Sequence, residues 1–265
     1  MFLLMIMILF VILLNGININ FIFYYTYNKM TEHIINNHRL YGKFKVLLND
    51  EGISQHIINN HIWEENILDL IVKYTRNNSS FIDIGANIGC HCIGLKQKIP
   101  NYNVNIIAFE PQPYIFDILK YNMELNCDKC HYYNLGLSNE TKTIYMEMPD
   151  YDTCKNPGGF GLDLDGNDTS KTSIEIVTLD SFKFENISLI KIDVEGLENQ
   201  VLMGAYETIK RCKPVMIIEI LGGTPIENAD DHNRNYILHT IHHIETLGYS
   251  VTKISFSDYL CIPNE

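Results

Sequence analysis

The chain has 265 residues, 46% of them hydrophobic, which suffices for one full-sized domain or two small ones around a large core and excludes general disorder. Lys and Arg total 20 against 32 Asp and Glu, and the resulting net charge of −12, with the cations scattered singly, excludes binding to a nucleic-acid backbone. The seven cysteines make no disulfide framework. Cys127 and Cys130 (a C-x-x-C before His131), and Cys90 and Cys92 on either side of His91, read as unpaired, partly buried thiols of a reducing compartment rather than as a zinc site.

Residues 1–14 are apolar without a break, and the run continues weakly to Tyr25. A membrane span needs about 20 residues, so residues 1–25 read as a hydrophobic anchor. No Lys or Arg precedes the run and no small-x-small site follows it, so a cleaved signal peptide fits less well; a start at Met30 is the remaining reading. Lys29, Arg39, Lys43 and Lys45 follow the segment, which turns the domain over residues 30–265 toward the cytosol. The alternative is the secretory pathway, where sequons such as Asn139-Glu140-Thr141 would matter.

From there the pattern predicts a strand over 41–48, a short helix over 53–60 and a longer one over 63–76, where Ile67, Leu70, Ile71 and Tyr74 share a face. Strands and helices then alternate. Strands are expected over 81–84, 105–109, 131–135, 189–192 and 215–220, and helices over 89–98, 114–126, 197–210 and 236–247. Residues 143–148 and 173–178 read as an added antiparallel pair around a long mobile loop, 150–172, placed to act as a lid. Residues 249–255 and 259–262 form a closing hairpin. Alternating βα units imply a doubly wound, mostly parallel sheet, which binds its ligand at the carboxyl ends of its strands.

Three strand ends carry chemistry. The first runs into Gly85-Ala86-Asn87-Ile88-Gly89 behind Asp83. It lacks the third glycine of a dinucleotide fingerprint and the Lys-Ser/Thr of a P-loop. Gly85 permits a tight turn and close ligand approach, and the helix start beyond it can receive a carboxylate. The second ends in Glu110-Pro111, close to the roughly 20-residue spacing at which an acidic residue meets ribose hydroxyls. The third ends in Asp193-Val194-Glu195, two carboxylates facing the crevice, fit to hold an ammonium, orient a hydroxyl or act as a base. Glu219 is a further carboxylate near the same rim. Asp230-Asp231-His232 reads as a solvated loop, so no metal is expected.

Trp63-Glu64, the run 81–89, Ala108-Phe109-Glu110-Pro111 with Asn122 and Asn126, Thr178-Leu179-Asp180, Leu189 through Glu198, Lys213-Pro214 and Glu219 occur together and in order. In these the chain resembles the FkbM family of class I S-adenosylmethionine-dependent methyltransferases, over residues 42–262. The resemblance implies a Rossmann-like α/β fold, with a mostly parallel seven-stranded sheet, helices on both faces and an antiparallel closing hairpin. It implies S-adenosylmethionine as cofactor, with Asp83, Gly85, Ala86, Asn87 and Gly89 around its methionine part. Glu110 would lie at its ribose, beside Pro111, and Leu135 near its adenine. Asp193 would sit beneath the sulfonium and the acceptor, acting with Glu195 in catalysis. The implied activity is O-methylation of a hydroxyl on a sugar, glycolipid or small metabolite, with a silent scaffold as the alternative. The expected partner is a small-molecule or glycan acceptor, with the membrane reached through the amino-terminal segment. His91 and Cys92 depart from the small aliphatic residues usual at that helix start.

Overall fold

The computed structural model describes residues 32–221, 226 and 229–264. The anchor expected over residues 1–25 lies outside them. None of the described helices is long and apolar enough to cross a membrane, so a transmembrane helix gains no support from them.

Two antiparallel strands open the described chain, β1 (Glu32–His38) and β2 (Gly42–Leu47). The first was not expected, because its Asn- and His-rich sequence has no apolar alternation. It is held by its register with β2 and by the ion pair of Lys45 with Glu32, 2.9 Å. Helices α1 (Ile53–Ile58) and α2 (Glu65–Tyr74) follow.

Then comes the predicted alternation: β3 (Ser80–Ile84), α3 (Cys90–Lys98), β4 (Asn105–Phe109), α4 (Pro113–Asn126) and β5 (Cys130–Tyr133). A side sheet is made of β6 (Gly136–Leu137), β7 (Lys142–Met146) and β8 (Thr172–Val177) in the order β6-β8-β7, so the expected antiparallel pair has a short third member. The main chain resumes with β9 (Ile187–Ile192), α5 (Glu198–Gly204), α6 (Tyr206–Cys212), β10 (Val215–Glu219), α7 (Asp231–Thr246), β11 (Tyr249–Lys253) and β12 (Asp258–Pro263).

The seven-stranded sheet has the order β11-β12-β10-β9-β3-β4-β5. Its pairs are parallel except those made by β12, which runs antiparallel to both β10 and β11. Side chains alternate between two cores. Phe81, Ile106, Ala108, Leu189 and Ile217 face α2, α3 and α4, while Ile82, Ile84, Ile107, Ile190 and Ile192 face α5, α6 and α7.

Two helix boundaries differ from expectation. The helix predicted over 197–210 breaks at Ala205, where a carboxylate remote in sequence caps a new start. Asp180 accepts from the amides of Glu207 and Thr208, at 3.0 and 2.8 Å. The last helix begins at Asp231 rather than Tyr236, because Asp230 caps it through the amide of Asn233. His232 thus stands in a helical first turn, not a loop. All seven cysteines are free thiols, with Cys90, Cys92 and Cys261 buried.

Candidate active site

The register of the parallel strands builds the site. Ile84 pairs with Phe109 and with Ile192, and Ile192 pairs with Ile218. The next residue on each strand therefore reaches the carboxyl rim in one row: Glu110, Gly85, Asp193 and Glu219. Tyr133 pairs with Phe109, which brings Asn134 to the same row. The sheet reverses its winding between β3 and β9, so Gly85 and Asp193 flank the switch point.

Gly85 has φ +82°, and a Cβ there would lie 1.8 Å from the Asp193 carbonyl oxygen. Only glycine fits where the two strand ends come this close. Asn87 also takes a left-handed backbone, φ 49°, and its amide donates to Glu110 Oε2 at 3.0 Å. The Gln112 amide donates to Glu110 Oε1 at 2.9 Å, and the Asn134 side chain donates to the Glu110 and Pro111 carbonyls. Burial pushes the Glu110 carboxyl up to about 7 against those two amides.

A cavity of about 730 Å³ opens on this rim, within the usual range for ligand sites. Gly85, Ala86, Asn87, Glu110, Pro111, Leu135, Asp193 and Glu195 line it, so eight of the ten expected site residues converge. Asp83 and Gly89 are not among the lining residues. Gly89 turns the chain into α3, and a Cβ there would press on Leu119. Asp83 lies beneath the cavity, 1% exposed, accepting from Cys92 Sγ at 3.2 Å and paired across the sheet with Lys191.

Lys191 was missed from the sequence, and it organises the floor. It is 3% exposed, and its Nζ donates to Asp193 Oδ2 at 2.8 Å. Burial by itself would favour the neutral amine, but Asp193, Asp83 and Glu64 outweigh it and hold the ammonium charged. A cation inside the apolar alternation of 187–192 was the available signal. Glu64, His91 and Asp258 also line the cavity and were likewise missed as site residues.

Carboxylates crowd the rest of the wall. Burial raises Glu64 and Glu195 to about 7 and Glu219 to about 8, with neighbouring carboxylates adding to each rise. Glu195 sits at φ 52°, on a turn held from behind by Glu198. Glu198 accepts from the Gly196 amide at 2.9 Å, and the Tyr236 hydroxyl donates to its other oxygen at 2.8 Å. No group of three or more metal-ligating side chains stands ready for an ion among the described residues.

The loop predicted over 150–172 closes one side. Pro157 O accepts from the Gln112 side chain, Lys155 O from the Glu51 amide, and Gly166 O from the Tyr145 amide. These bonds pin the stretch at several points, and Phe160 and Leu162 add apolar surface to the cavity, Leu162 lying against Gly136.

A family model described as the methyltransferase FkbM domain matches residues 83–251, more than half of the chain. "Hexuronic acid methyltransferase AglP" of Haloferax volcanii is 28% identical over 160 residues, covering 60% of this chain and 63% of that protein. "Methyltransferase 1" of Beauveria bassiana is 30% identical over 148 residues, covering 48% of this chain and 59% of that protein. The chain thus spans about six-tenths of the length of these curated relatives. The crystal structure of methyltransferase FkbM from Methylobacillus flagellatus KT superposes with a TM-score of 0.50 at 18% identity, over 71% of this chain and 44% of that one, a likeness of fold.

Proposed function

The chain belongs to the FkbM methyltransferase family, and from that premise we propose that it uses S-adenosylmethionine to methylate a hydroxyl on a sugar, glycolipid or small metabolite. The observation that carries the proposal is the rim row Glu110, Gly85 and Asp193 at the switch point, opening on one cavity. The name of the Haloferax relative supports a sugar acceptor.

The residues present fit the cofactor. Glu110 has its two oxygens aligned by two backbone amides, yet a carboxylate has about four lone-pair sites, so two remain for a pair of ribose hydroxyls. Pro111, Leu135, Phe160 and Leu162 supply apolar surface for an adenine. Gly85, whose Cβ position is filled by the Asp193 carbonyl, lets a ligand approach the backbone closely. Glu64, Asp193, Glu195, Glu219 and Asp258 line the cavity together with Lys191, and a cationic ligand would draw the raised carboxyls among them, Glu64, Glu195, Glu219 and Asp258, into their charged form.

When bound, S-adenosylmethionine supplies a methyl group already activated on a sulfonium. The protein's task is therefore alignment, worth up to roughly 7–11 kcal/mol, and removal of the acceptor's proton, worth ~10²–10⁴ in rate. Lys191 fixes Asp193 through Oδ2, leaving Oδ1 to orient the acceptor hydroxyl. Glu195, two residues on and held at a left-handed turn, is the second carboxylate placed to take the proton.

Thermal melting of the full chain with S-adenosylhomocysteine tests this. At 100 times its dissociation constant the ligand stabilises by about 2.7 kcal/mol, a Tm rise on the order of 5–10 °C. NAD and ATP are expected to give no rise, and Glu110→Ala, its fold checked by circular dichroism, to lose the effect. A folded chain that gives no rise at high ligand would be a methyltransferase fold serving as a scaffold.

A further inference from the structure

The amino ends of the strands lie at the opposite end of the sheet from the cavity described above. Ser80 pairs with Asn105 and Ile106 with Cys130, so β3, β4 and β5 all begin here. A second cavity, of about 450 Å³, opens beside them, with Asn103, Asp128, Lys129 and Cys130 in its wall. It gives a small reagent access to the turn Cys127-Asp128-Lys129-Cys130, the C-x-x-C that has no part in the methyl-transfer reading.

Every residue of this turn is tied down. The Cys127 amide donates to Met123 O at 2.9 Å, closing the last turn of α4. Asp128 pairs with Lys96 of α3 at 2.8 Å, and Lys129 Nζ donates to Asn103 Oδ1 at 2.7 Å. Lys129 O accepts from the Ile106 amide at 3.3 Å, beside the first pair of β5. Cys130 Sγ donates to the Cys127 carbonyl at 3.4 Å. The end of α4 and the start of β5 thus hold two half-buried thiols next to each other.

The two thiols are not equivalent. The Cys130 S–H donates to the Cys127 sulfur when that ionises. This bond, the Lys129 amide and the Lys96 ammonium bring the Cys127 thiol below its ordinary value against the opposing effect of burial. The same neighbour, with burial, pushes the Cys130 thiol up. Thiol–disulfide exchange needs such a division: an ionised thiol that attacks and a second thiol in reach that resolves. Cys90, Cys92 and Cys261 are instead raised by burial, and Cys154 and Cys212 stand apart from the other cysteines in sequence. Among the described residues no group of three or more metal-ligating side chains includes the pair, which leaves sulfur chemistry.

We propose that Cys127 and Cys130 are a redox-active dithiol, a modification site at which a low-molecular-weight disulfide of the glutathione class oxidises the pair to an intramolecular disulfide. The Cys127 thiolate attacks one sulfur of the incoming disulfide. That S–S bond breaks, one thiolate leaves, and a mixed disulfide forms on Cys127. The negative neighbour that kept Cys130 protonated is then gone. Cys130 gives up its proton, and its sulfur attacks Cys127 Sγ and expels the second thiolate. The dithiol loses two electrons and two protons, and the reagent takes them up as two thiols. The new bond joins the end of α4 to β5, the edge strand that runs on to Asn134 and Leu135 at the rim of the first cavity. The site stands whether or not the chain transfers methyl groups.

The test incubates the full, reduced chain with glutathione disulfide at neutral pH, quenches with acid, alkylates, and maps every cysteine by peptide mass spectrometry. Cys127–Cys130 is expected to be the first disulfide formed, and dithiothreitol to reverse it. Two single variants, their folds checked by melting, separate the roles. Cys130→Ser is expected to accumulate a glutathione mixed disulfide on Cys127. Cys127→Ser is expected to leave Cys130 modified about fivefold or more slowly than that. Limiting iodoacetamide is expected to label Cys127 of the parent chain about fivefold or more faster than Cys154 or Cys212. Equal labelling of these three cysteines overturns the proposal. So does a parent chain that stops at the mixed disulfide, or one in which other cysteines pair first.

Discussion

The two faces of the central sheet are made by the same alternating strands and are furnished differently. Toward α5, α6 and α7 the strands present Ile82, Ile84, Ile107, Phe109, Ile190 and Ile192, an unbroken apolar surface. Toward α3, Phe81 and Leu189 begin the same way, but the next residues on that face are Asp83 and Lys191, opposite each other in the register and almost fully buried. One step further along β9 is Asp193, at the cavity. Packing alone would be served by aliphatic residues at all these positions. Among the described strand residues, buried charge is confined to Asp83, Lys191 and Asp258, which lie beneath or line the cavity, and Asp83 there faces the charge of Lys191.

The strongest way to break this comparison is to remove the cation. Lys191→Met leaves Asp83 buried without its counter-charge, and such a loss costs about 3–5 kcal/mol. Urea denaturation measures it. Replacing both residues, Lys191→Met with Asp83→Leu, is expected to recover only the part of that cost that comes from Asp83, because Asp193 still loses the ion pair it makes with Lys191 at 2.8 Å. A single variant that costs less than about 1 kcal/mol would mean the two faces are energetically alike.

The next effect is on pH. Glu219 titrates at about 8 in the folded chain, raised by burial and by Asp193. A carboxyl whose folded value is raised binds its proton more tightly than in the unfolded chain. Its stabilising contribution is complete below the unfolded value and lost as pH rises through the folded one. Glu64, Glu110 and Glu195, at about 7, act in the same direction. His91, held well below its ordinary value by burial and Lys191, acts oppositely, but only up to its unfolded value near 6.5. Between pH 6.5 and 8.5 the ligand-free chain should therefore lose stability, by about 1–2 kcal/mol from Glu219. Glu219→Gln should flatten the slope of Tm against pH over that window.

What the sequence disclosed follows from the range of the interactions. The alternation of strands and helices along the chain, the βα turn at Gly85 and the spacing to Glu110 are local patterns, and they were legible. So was the carboxyl-end position of Asp193 and Glu195. Lys191 was not, because its meaning depends on a cross-strand register with Asp83, remote in sequence. Glu64 and Asp258 were hidden for the same reason: the start of α2 and the start of β12 reach the cavity only through tertiary packing. The break at Ala205 depends on Asp180, and β1 on its pairing with β2, neither of which leaves a periodic trace.

The smallest expected effect sharpens the comparison from the other side. Ile190 lies between Leu189 and Lys191, fully buried, on the apolar face. Ile190→Val removes one methylene and should cost about 0.5–1.5 kcal/mol. The residue touches neither the charged pair nor the cavity, so the loss should lower Tm uniformly. The Tm rise given by S-adenosylhomocysteine and the slope of Tm against pH should both stay as in the parent chain, whereas changes at Lys191 or Glu219 should move one or both. If Ile190→Val altered either readout, strain on the apolar face would reach the rim through the backbone of β9. The separation of a structural face from a functional one would then be a matter of side-chain chemistry, without mechanical independence.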